Sequence, residues 1–398
     1  MSEKLLAVYN RPDIVFDRGE GVWLHGTDGV TYLDCVCGIA TNALGHAHAA
    51  LVEALTAQAQ KVWHLSNMFR VPGQELLADK LVESCFADAV FFANSGSEAV
   101  EGALKAARRY HSQNGAPERI DIFGFEGSFH GRTYAAINAS GNSTYLDGFG
   151  PRLPGFEQLA FGDHAALEAA IKRPTTAAII VEPVQGEGGA RALPGDCLRA
   201  LRQQCTEHGV LLIYDEVQSG MGRTGKLFAH QWFDDAAPDI MAIAKALGGG
   251  FPVGAFLVTA SVAETMKFGT HGSTFGGNPL AMAVANTAFD LISNDNLLAQ
   301  VGHVSGLLRS GLIDLARRFP DVIEDVRGKG LLIGVKLFPN NREFMALARS
   351  QTLLVAGGGD NCVRLLPPLN ITEAEAIEVL ARFERTCLSA RVSLSPAA

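Results

Sequence analysis

The sequence of 398 residues lacks any long run of apolar residues. Its opening stretch, MSEKLLAVYNRPD, holds no apolar segment long enough for a signal peptide. The longest apolar runs elsewhere, such as AAIIV and VLLIY, have the length of buried strands and fall far short of a bilayer span. We therefore expect a cytoplasmic protein with no membrane contact.

The sequence also lacks an excess of positive charge and any paired cysteine motif. Its formal net charge of -9 argues against a nucleic-acid partner, because binding a phosphate backbone needs clustered Lys and Arg. Cys35 and Cys37 form a lone C-x-C without the second half of a zinc site, and His46 and His48 have no third ligand nearby. We predict reduced thiols, a loop role for the two histidines, and no metal.

Strand-like and helix-like segments alternate through the middle of the chain. Helical periodicity separates the short apolar runs, as at 97–110 and 196–208. This alternation predicts an α/β fold with a mostly parallel central sheet. The predicted strands are 89–93, 120–125, 177–181, 210–214 and 240–244.

The last hundred residues follow a different pattern, typical of a smaller α+β domain. Residues 330–337 and 362–366 are predicted strands, and 343–350 and 372–390 are predicted helices, the second opening with a capping box at Thr372 and Glu375. We predict an N-terminal segment, 1–45, that joins this small domain, a large domain at 46–300, and the small domain at 301–398.

Three predicted strands end in ionisable side chains. Glu182 follows the run 177–181, Asp215 follows 210–214, and Lys245 follows 240–244. Ligands of open parallel sheets bind at the carboxyl ends of the strands, so the three groups should share one rim. A buried lysine is costly to keep charged, and a Schiff base with an aldehyde removes that cost. A structural ion pair is the alternative.

Two further segments could bind a cofactor. The strand 89–93 runs into Ser95, Gly96 and Ser97, where a helix starts, and the free N–H groups there suit a phosphate. Phe129 and Arg132 follow another strand, and could stack on a flat ring and hold a carboxylate. An ordinary helix cap, a core phenylalanine and a surface arginine are the simpler readings of each segment alone.

The stretch GMGRTGKL resembles two nucleotide motifs but fits neither. Gly220, Gly222 and Gly225 spell G-x-G-x-x-G, yet the preceding strand ends in two carboxylates and the following residues start a helix poorly. Leu227 stands where a P-loop needs Ser or Thr. We predict a flexible active-site loop instead.

Taken together, these stretches resemble the class III, or ω-amino, aminotransferases over nearly the whole chain, and most closely those that act on acetylornithine. The matching segments stand in the family's order: GIATNALGHAHAALVEAL, FFANSGSEAVEGALKAAR, FHGRT, EPVQGEGG, LLIYDEVQSGMGRTGKLFA, PDIMAIAKALGGGFPVGA, HGSTFGGNPLA and VRLLPPLNIT. The resemblance implies the fold type I architecture and pyridoxal 5′-phosphate as cofactor.

The resemblance assigns roles in cofactor binding. Lys245 would bond the cofactor aldehyde and carry the proton between substrate and cofactor carbons, and Asp215 would pair with the pyridine nitrogen. Gln218 would bond the phenolic oxygen and Phe129 would stack on the ring.

Backbone N–H groups of Gly96 and Ser97 would bind the phosphate in this scheme. Thr274 would bind the phosphate in the neighbouring subunit, with Ser273 close to the substrate. These last two roles require a homodimer with active sites at its interface.

The resemblance also implies two small-molecule substrates, an amino donor and 2-oxoglutarate. Arg132 would bind the carboxylate farthest from the reacting amine, and Arg364 the α-carboxylate of glutamate. Glu187 would pair with Arg364 until glutamate arrives, since an unpaired buried arginine would reject a neutral methylene. The expected reaction is transamination of N2-acetylornithine, which belongs to arginine biosynthesis.

Several alternatives stay open at this point. Relatives acting on ornithine, succinylornithine, succinyl-diaminopimelate or 4-aminobutyrate share the cofactor motifs, so these motifs do not separate them. A cofactor-binding regulator without activity and a nicotinamide oxidoreductase are readings from other classes. The simultaneous presence of Lys245, Asp215, Arg132 and the Glu187–Arg364 pair favours the enzyme.

Overall fold

The structure is a computed structural model that describes residues 4–394. Its strands are β1 (Phe16–Glu20), β2 (Trp23–Gly26), β3 (Thr31–Asp34), β4 (Ala89–Ala93), β5 (Asp121–Phe125), β6 (Phe156–Leu159), β7 (Thr176–Val181), β8 (Val184–Gln185), β9 (Arg191–Ala192), β10 (Leu211–Asp215), β11 (Ile240–Ile243), β12 (Gly254–Val258), β13 (Ile323–Lys329), β14 (Leu332–Leu337), β15 (Leu353–Leu354), β16 (Ala356–Gly358) and β17 (Cys362–Leu365).

The helices connect these strands. They are α1 (Cys37–Ala40), α2 (Ala49–Ala59), α3 (Pro72–Glu83), α4 (Gly96–Gln113), α5 (Tyr134–Ser140), α6 (Ser143–Leu146), α7 (His164–Ile171), α8 (Gly195–Glu207), α9 (Ala260–Ala263), α10 (Pro279–Ile292), α11 (Asp295–Arg318), α12 (Asn341–Ser350) and α13 (Glu373–Leu394). Two 3₁₀ helices span Ala229–Trp232 and Lys245–Gly248. Within residues 4–394, no helix has the length and apolar character needed to cross a membrane.

The largest sheet has seven strands in the order β4-β12-β11-β10-β7-β5-β6. β10 is parallel to β7 and β11, and β5 is parallel to β6 and β7. β12 runs antiparallel to both of its neighbours, β11 and β4. Every residue of β7, β10, β11 and β12 is buried, as in a sheet covered on both faces. The predicted α/β class with a mostly parallel sheet is confirmed.

Helix α4 packs closely on this sheet. Its buried face consists largely of alanine, including Ala99, Ala103 and Ala106 at helical spacing. Small side chains let the helix axis approach the strands. A Cβ at Gly102 would lie 2.3 Å from Phe256 Cε1 on β12, so glycine is required there. This packing fixes the start of α4 at the edge of the sheet.

A second sheet, β13-β14-β17-β16, is antiparallel throughout and packs with α11 and α12, and α13 packs on these two helices. The predicted capping box of α13 is present. Thr372 N donates to Glu375 Oε2 at 2.8 Å, and Glu375 N donates to Thr372 Oγ1 at 3.2 Å. This part of the chain is the predicted α+β unit.

The N-terminal strands form a third sheet, β1-β2-β3-β15, in which β15 is parallel to β3. A strand from beyond residue 350 therefore completes a sheet built by residues 16–34. The domain boundaries at residues 45 and 300 stay predictions, and α11 runs through the second of them.

The glycine-rich loop at 220–225 is mostly buried, and none of its residues lines the cavity that Asp215 and Lys245 line. Arg223 is 1% exposed, and its Nη1 donates to Leu331 O at 3.2 Å and to Pro367 O at 2.5 Å. The prediction of a flexible active-site loop is wrong, because segments more than a hundred residues away close over these glycines and hold Arg223.

Candidate active site

Three neighbouring parallel strands end at one cavity. Glu182 directly follows β7, Asp215 ends β10, and Lys245 lies shortly after β11. Because β10 lies between β7 and β11, the carboxyl ends of the three strands meet at one edge. All three side chains line a cavity of about 550 Å³. The structure therefore brings the two carboxylates and the lysine to a common rim.

Lys245 has an unusual backbone and a shifted pKa. Its φ is +45°, a left-handed conformation that side chains disfavour and that concentrates at functional sites. Burial lowers the pKa of its amine to about 8, although the negative charge of Asp215 opposes this shift. A substantial fraction of the amine is therefore uncharged near pH 8, and the uncharged form is the one that attacks an aldehyde.

His130 holds the carboxylate of Asp215. Nδ1 of His130 lies 2.7 Å from Asp215 Oδ2, and both side chains are buried. Asp215 Oδ1 accepts a hydrogen bond of 3.0 Å from Val217 N. Burial acts to lower the pKa of His130, but the hydrogen bond and charge of Asp215 raise it overall. Sequence reasoning missed His130, although it stands beside Phe129 in the FHGRT stretch.

Helix α4 begins at the cavity. Ser95 is its N-cap, and Ser95 Oγ accepts a hydrogen bond of 3.3 Å from Glu98 N. Gly96 and Ser97 start the first turn and line the cavity. The first N–H groups of a helix have no carbonyl partner within it, and they lie at the positive end of its dipole. A Cβ at Gly96 would lie 2.8 Å from Val217 Cγ1. The start of α4 therefore requires glycine in order to lie this close to Val217.

Phe129, Arg132 and Tyr145 form one wall of the cavity. The Arg132 guanidinium lies 3.7 Å from the centroid of the Tyr145 ring and 5.6 Å from that of Phe129. The two rings meet edge to face, with centroids 5.9 Å apart. Ion pairs at the cavity in residues 4–394 are His130–Asp215 and Arg364–Glu187, and neither uses Arg132. Its guanidinium therefore has no carboxylate partner in that part of the chain.

Arg364 is held in a different way. Its Nη2 lies 2.7 Å from Glu187 Oε2, and its Nε donates to Gly357 O at 2.9 Å. Gln218 Oε1 accepts a longer hydrogen bond of 3.5 Å from Arg364 Nη1. Arg364 is buried and Glu187 is half-buried, so the charge of the arginine is neutralised within the cavity wall.

Glu182 connects two loops of the site. Its Oε1 accepts a hydrogen bond of 2.9 Å from Phe129 N, and its Oε2 accepts one of 3.0 Å from Gly186 N. Burial raises the pKa of Glu182 to about 7, against the opposing charge of His130. One carboxylate thus joins the loop that carries Phe129 to the loop that carries Glu187. The sequence placed Glu182 at the rim but gave no sign of these bonds.

Most predicted site residues share the cavity, and two do not. Those that line it are Gly96, Ser97, Phe129, Arg132, Glu187, Asp215, Gln218, Lys245 and Arg364. Ser273 and Thr274 lie outside it. Ser273 Oγ accepts a hydrogen bond of 3.2 Å from Asn94 Nδ2 on the cavity wall, and Thr274 is exposed.

His46 of the H-x-H pair belongs to a structural contact. His46 Nε2 lies 2.9 Å from Asp34 Oδ2, and Asp34 Oδ1 accepts a hydrogen bond from Cys37 N. In the part of the chain that the structure describes, no cluster of His, Cys, Asp and Glu could hold a metal ion. The cysteines are free thiols.

Known proteins match this chain over nearly its full length. The family described as aminotransferase class-III matches residues 7–387. Acetylornithine aminotransferase 2 of Caulobacter vibrioides is 66% identical over 387 residues, which cover 97% of this chain and 96% of that protein.

Solved structures agree with this match. The ornithine aminotransferase of Toxoplasma gondii has a TM-score of 0.93 at 31% identity, with 98% of this chain and 94% of that chain covered. An amine transaminase from an uncultivated Pseudomonas species, in its PLP-bound form, has a TM-score of 0.90 at 29% identity, with 98% and 99% covered. The chain belongs to the class-III aminotransferases, and it shares the fold of the two solved aminotransferase structures.

Proposed function

We propose that this aminotransferase transfers the δ-amino group of N2-acetylornithine to 2-oxoglutarate with pyridoxal 5′-phosphate as cofactor. The products are N-acetylglutamate semialdehyde and glutamate, and the reaction belongs to arginine biosynthesis. The observation that carries the proposal is one cavity that combines Lys245 and Asp215 with Arg132, which has no carboxylate partner in the described chain, and with a neutralised arginine, Arg364. The name of the Caulobacter relative supports the choice of substrate.

The cavity residues fit the cofactor. The N–H groups at Gly96 and Ser97 suit its phosphate, the ring of Phe129 offers a flat face, and Gln218 offers an amide to its phenolic oxygen. The buried carboxylate of Asp215 suits a protonated ring nitrogen. When bound, the cofactor supplies an aldehyde and a ring that withdraws electrons from the substrate carbon.

Lys245 and Asp215 carry the proton chemistry. Lys245 would hold the cofactor aldehyde through its amine. Nζ would also carry the proton between the substrate carbon and the cofactor, a role that a lowered pKa favours. Asp215 would hold the proton on the ring nitrogen, and His130 fixes the carboxylate in place.

The two arginines suit a donor with one carboxylate and an acceptor with two. Arg132 binds the carboxylate far from the reacting amine in both substrates. Glu187 stays on Arg364 while the donor is bound, because the reacting end of the donor is an uncharged methylene. The α-carboxylate of glutamate or 2-oxoglutarate then replaces Glu187 on Arg364.

The charges near Arg132 favour acylated over free ornithine. The carboxylates that line the cavity of the described chain are Glu182, Glu187 and Asp215, and each already binds other groups. A free α-ammonium beside Arg132 would meet positive charge without a counter-ion, whereas an acylated nitrogen is neutral. Succinylornithine, succinyl-diaminopimelate and 4-aminobutyrate fit this charge pattern as well and are alternative donors.

We also infer a homodimer in which Thr274 and Ser273 serve the site of the partner subunit. The exposure of Thr274 next to, but outside, its own cavity supports this arrangement. We further infer that residues 1–45 join the small domain, 301–398, beside a large domain of 46–300. The pairing of β3 with β15 supports that grouping.

The function is tested by colour and by a donor panel. Purified protein loaded with pyridoxal phosphate should be yellow, lose the colour with N-acetylornithine and recover it with 2-oxoglutarate. Among N-acetylornithine, succinylornithine, succinyl-diaminopimelate, ornithine and 4-aminobutyrate, the first should give the highest kcat/KM. Asp215→Ala should lower kcat about 10²–10³-fold, as expected for loss of a preorganised charge, with an unchanged circular dichroism spectrum. A higher kcat/KM with ornithine or 4-aminobutyrate would overturn the substrate assignment.

A further inference from the structure

Tyr145 lines the cavity from the short helix α6, beside Arg132. The side chain of Asn142 caps α6 by accepting a hydrogen bond of 2.9 Å from Thr144 N. Tyr145 is half-buried, and within the described chain it is the residue of α6 that lines the cavity. The cofactor roles described above do not use this residue.

The ring of Tyr145 positions Arg132. The guanidinium lies 3.7 Å from the centroid of the Tyr145 ring, a cation–π contact. The Tyr145 ring also packs against the Phe129 ring, at an angle of 87° between the two planes. A guanidinium stacked on a ring keeps the N–H groups along its edge available for a bidentate carboxylate. The aromatic contact therefore orders Arg132, and the hydroxyl of Tyr145 also interacts with the guanidinium.

The charged groups of the cavity affect the pKa of the Tyr145 hydroxyl. Burial raises the pKa of the hydroxyl, as does the charge of Glu187, while the charge of Arg132, a hydrogen bond with Arg132 and the charge of Arg364 act in the opposite direction. The hydroxyl is therefore protonated at neutral pH and is able both to donate and to accept a hydrogen bond.

Because Tyr145 contacts Arg132, the part of a donor that binds Arg132 lies close to Tyr145. A carboxylate on Arg132 brings the carbon bonded to it, and any nitrogen on that carbon, next to the tyrosine. In N2-acetylornithine this nitrogen is part of an acylamino group, which has one N–H donor and one carbonyl acceptor. Left without a partner in a closed site, these groups would cost binding energy.

We propose that Tyr145 is a specificity residue whose ring positions Arg132 and whose hydroxyl hydrogen-bonds the acylamino group of the donor. This assignment deepens the proposed function and rests on it. It explains recognition of the acyl group by a direct contact, beyond the absence of a counter-ion for a free ammonium.

The test separates ring from hydroxyl. Tyr145→Phe keeps the ring on Arg132 and removes the hydroxyl, whereas Tyr145→Leu removes both. Tyr134→Phe is the matched control, because Tyr134 is exposed, donates to Phe149 O at 3.2 Å and does not line the cavity. The donors compared are N-acetylornithine and 5-aminovalerate, which has the same carboxylate and amine but no acylamino group.

Tyr145→Phe should lower kcat/KM for N-acetylornithine about tenfold, the effect of one hydrogen bond, and change that for 5-aminovalerate less than about twofold. Tyr145→Leu should lower both kcat/KM values, and Tyr134→Phe should lower neither of them.

Binding of amine-free analogues can be measured without turnover. N-acetylnorvaline and valerate lack the amine, and calorimetry on cofactor-loaded Tyr145→Phe should show an approximately tenfold weaker Kd for N-acetylnorvaline alone.

The outcomes distinguish this proposal from the proposed function. If the wild-type enzyme does not prefer N-acetylornithine in the donor panel, the proposed function fails and the Tyr145 assignment fails with it. If the wild-type enzyme has that preference and Tyr145→Phe keeps it in both turnover and binding, the assignment alone is overturned. An equal loss for acylated and unacylated compounds also overturns it, because the hydroxyl would then not contact the acylamino group.

Discussion

Lys245 places an amine where burial opposes its charge. The residue follows a fully buried strand, β11, and has a left-handed backbone that begins a 3₁₀ helix. Both features cost folding free energy, and active sites are where proteins retain such costs. The uncharged amine that results is chemically useful in the site, because it is a nucleophile at moderately alkaline pH.

The shifted pKa of Lys245 predicts a pH-dependent stability. In cofactor-free protein the folded chain binds fewer protons than the unfolded chain between the lowered pKa of about 8 and the usual 10.5, so stability rises with pH in that window. Lys245→Met removes the titration. The variant should exceed wild type in unfolding free energy at pH 7, and the gap should narrow by about 2 kcal/mol by pH 9.5 in urea titrations.

The control for this measurement is Lys226→Met, which alters an exposed lysine outside the cavity. Its difference from wild type should stay constant over the same pH range. A constant gap for Lys245→Met as well would contradict a lowered pKa at position 245.

The sequence predicts the site residues at the ends of strands, but it does not predict those that tertiary contacts bring to the site. Lys245 and Asp215 follow apolar runs, and the rule for parallel sheets places them at one edge. His130 and Tyr145 have no such local signal. The bond from His130 to Asp215 spans 85 positions in the chain, and Tyr145 meets Arg132 through packing. Contacts of this kind depend on tertiary structure, which periodicity does not encode.

At the level of elements, Glu182 links the end of β7 to two loops. Its carboxylate accepts N–H groups from Phe129, after β5, and from Gly186, after β8. A carboxylate can accept both bonds, whereas an amide has one acceptor oxygen and would turn its NH₂ toward the other N–H group. The relative position of the Phe129 loop and the Glu187 loop therefore depends on this side chain.

Glu182→Gln should affect both stability and the balance of the two half-reactions. Loss of one buried acceptor should cost about 1–3 kcal/mol in urea unfolding. Because Gly186 precedes Glu187, the ion pair with Arg364 should shift. The ratio of kcat/KM for the acylated donor to that for glutamate should then change in single-turnover measurements.

Glu101→Gln provides a matched control. Glu101 also accepts several bonds, from Ala135 N at 3.0 Å and from Thr133 Oγ1 at 2.5 Å, but it does not line the cavity. It should lose stability and keep the wild-type ratio of half-reactions. If both variants keep that ratio, Glu182 has only a structural role.

The fold shows the same limit of sequence reasoning at the level of strands. The five strands predicted in the middle of the chain all lie in the central sheet, because buried parallel strands are continuous apolar runs. β12 was not predicted, and its direction is set by pairing with β11 and β4. The glycines at 220–225 predict a flexible loop, because glycine favours turns. The hydrogen bonds from Arg223 to Leu331 and Pro367 span more than a hundred positions, so the local sequence does not predict them.

At the level of the whole molecule, one surface combines exposed apolar side chains with the Thr274 loop. Leu280 N donates to Trp63 O at 3.3 Å, and Asn67 Nδ2 donates to Ser273 O at 3.1 Å, so the segments 62–69 and 273–280 pack together. The exposed side chains here are Trp63, Met68, Phe69 and Phe275, each more than half exposed. We propose that a second copy of the chain covers this patch, because exposed apolar patches are typical of protein interfaces.

Heterodimers test whether Thr274 acts across that interface. Thr274→Ala homodimers should bind the cofactor about 10–100-fold more weakly, the effect of one hydrogen bond to a charged phosphate. A heterodimer of Thr274→Ala with Lys245→Met contains one chain that keeps Lys245 and one that keeps Thr274. If the threonine serves the partner, these two residues meet in one intact site, and about half of the wild-type activity per dimer should remain.

The heterodimer of wild type with Lys245→Met sets the reference, since it has one intact site under either arrangement. If Thr274 instead acted within its own chain, the double heterodimer would show only the low activity of the Thr274→Ala variant. A monomeric mass in analytical ultracentrifugation would contradict the dimer itself. Equal activities of the two heterodimers would place Thr274 in the site of the partner, because no other pairing of the two altered chains restores a lysine and a threonine to the same cavity.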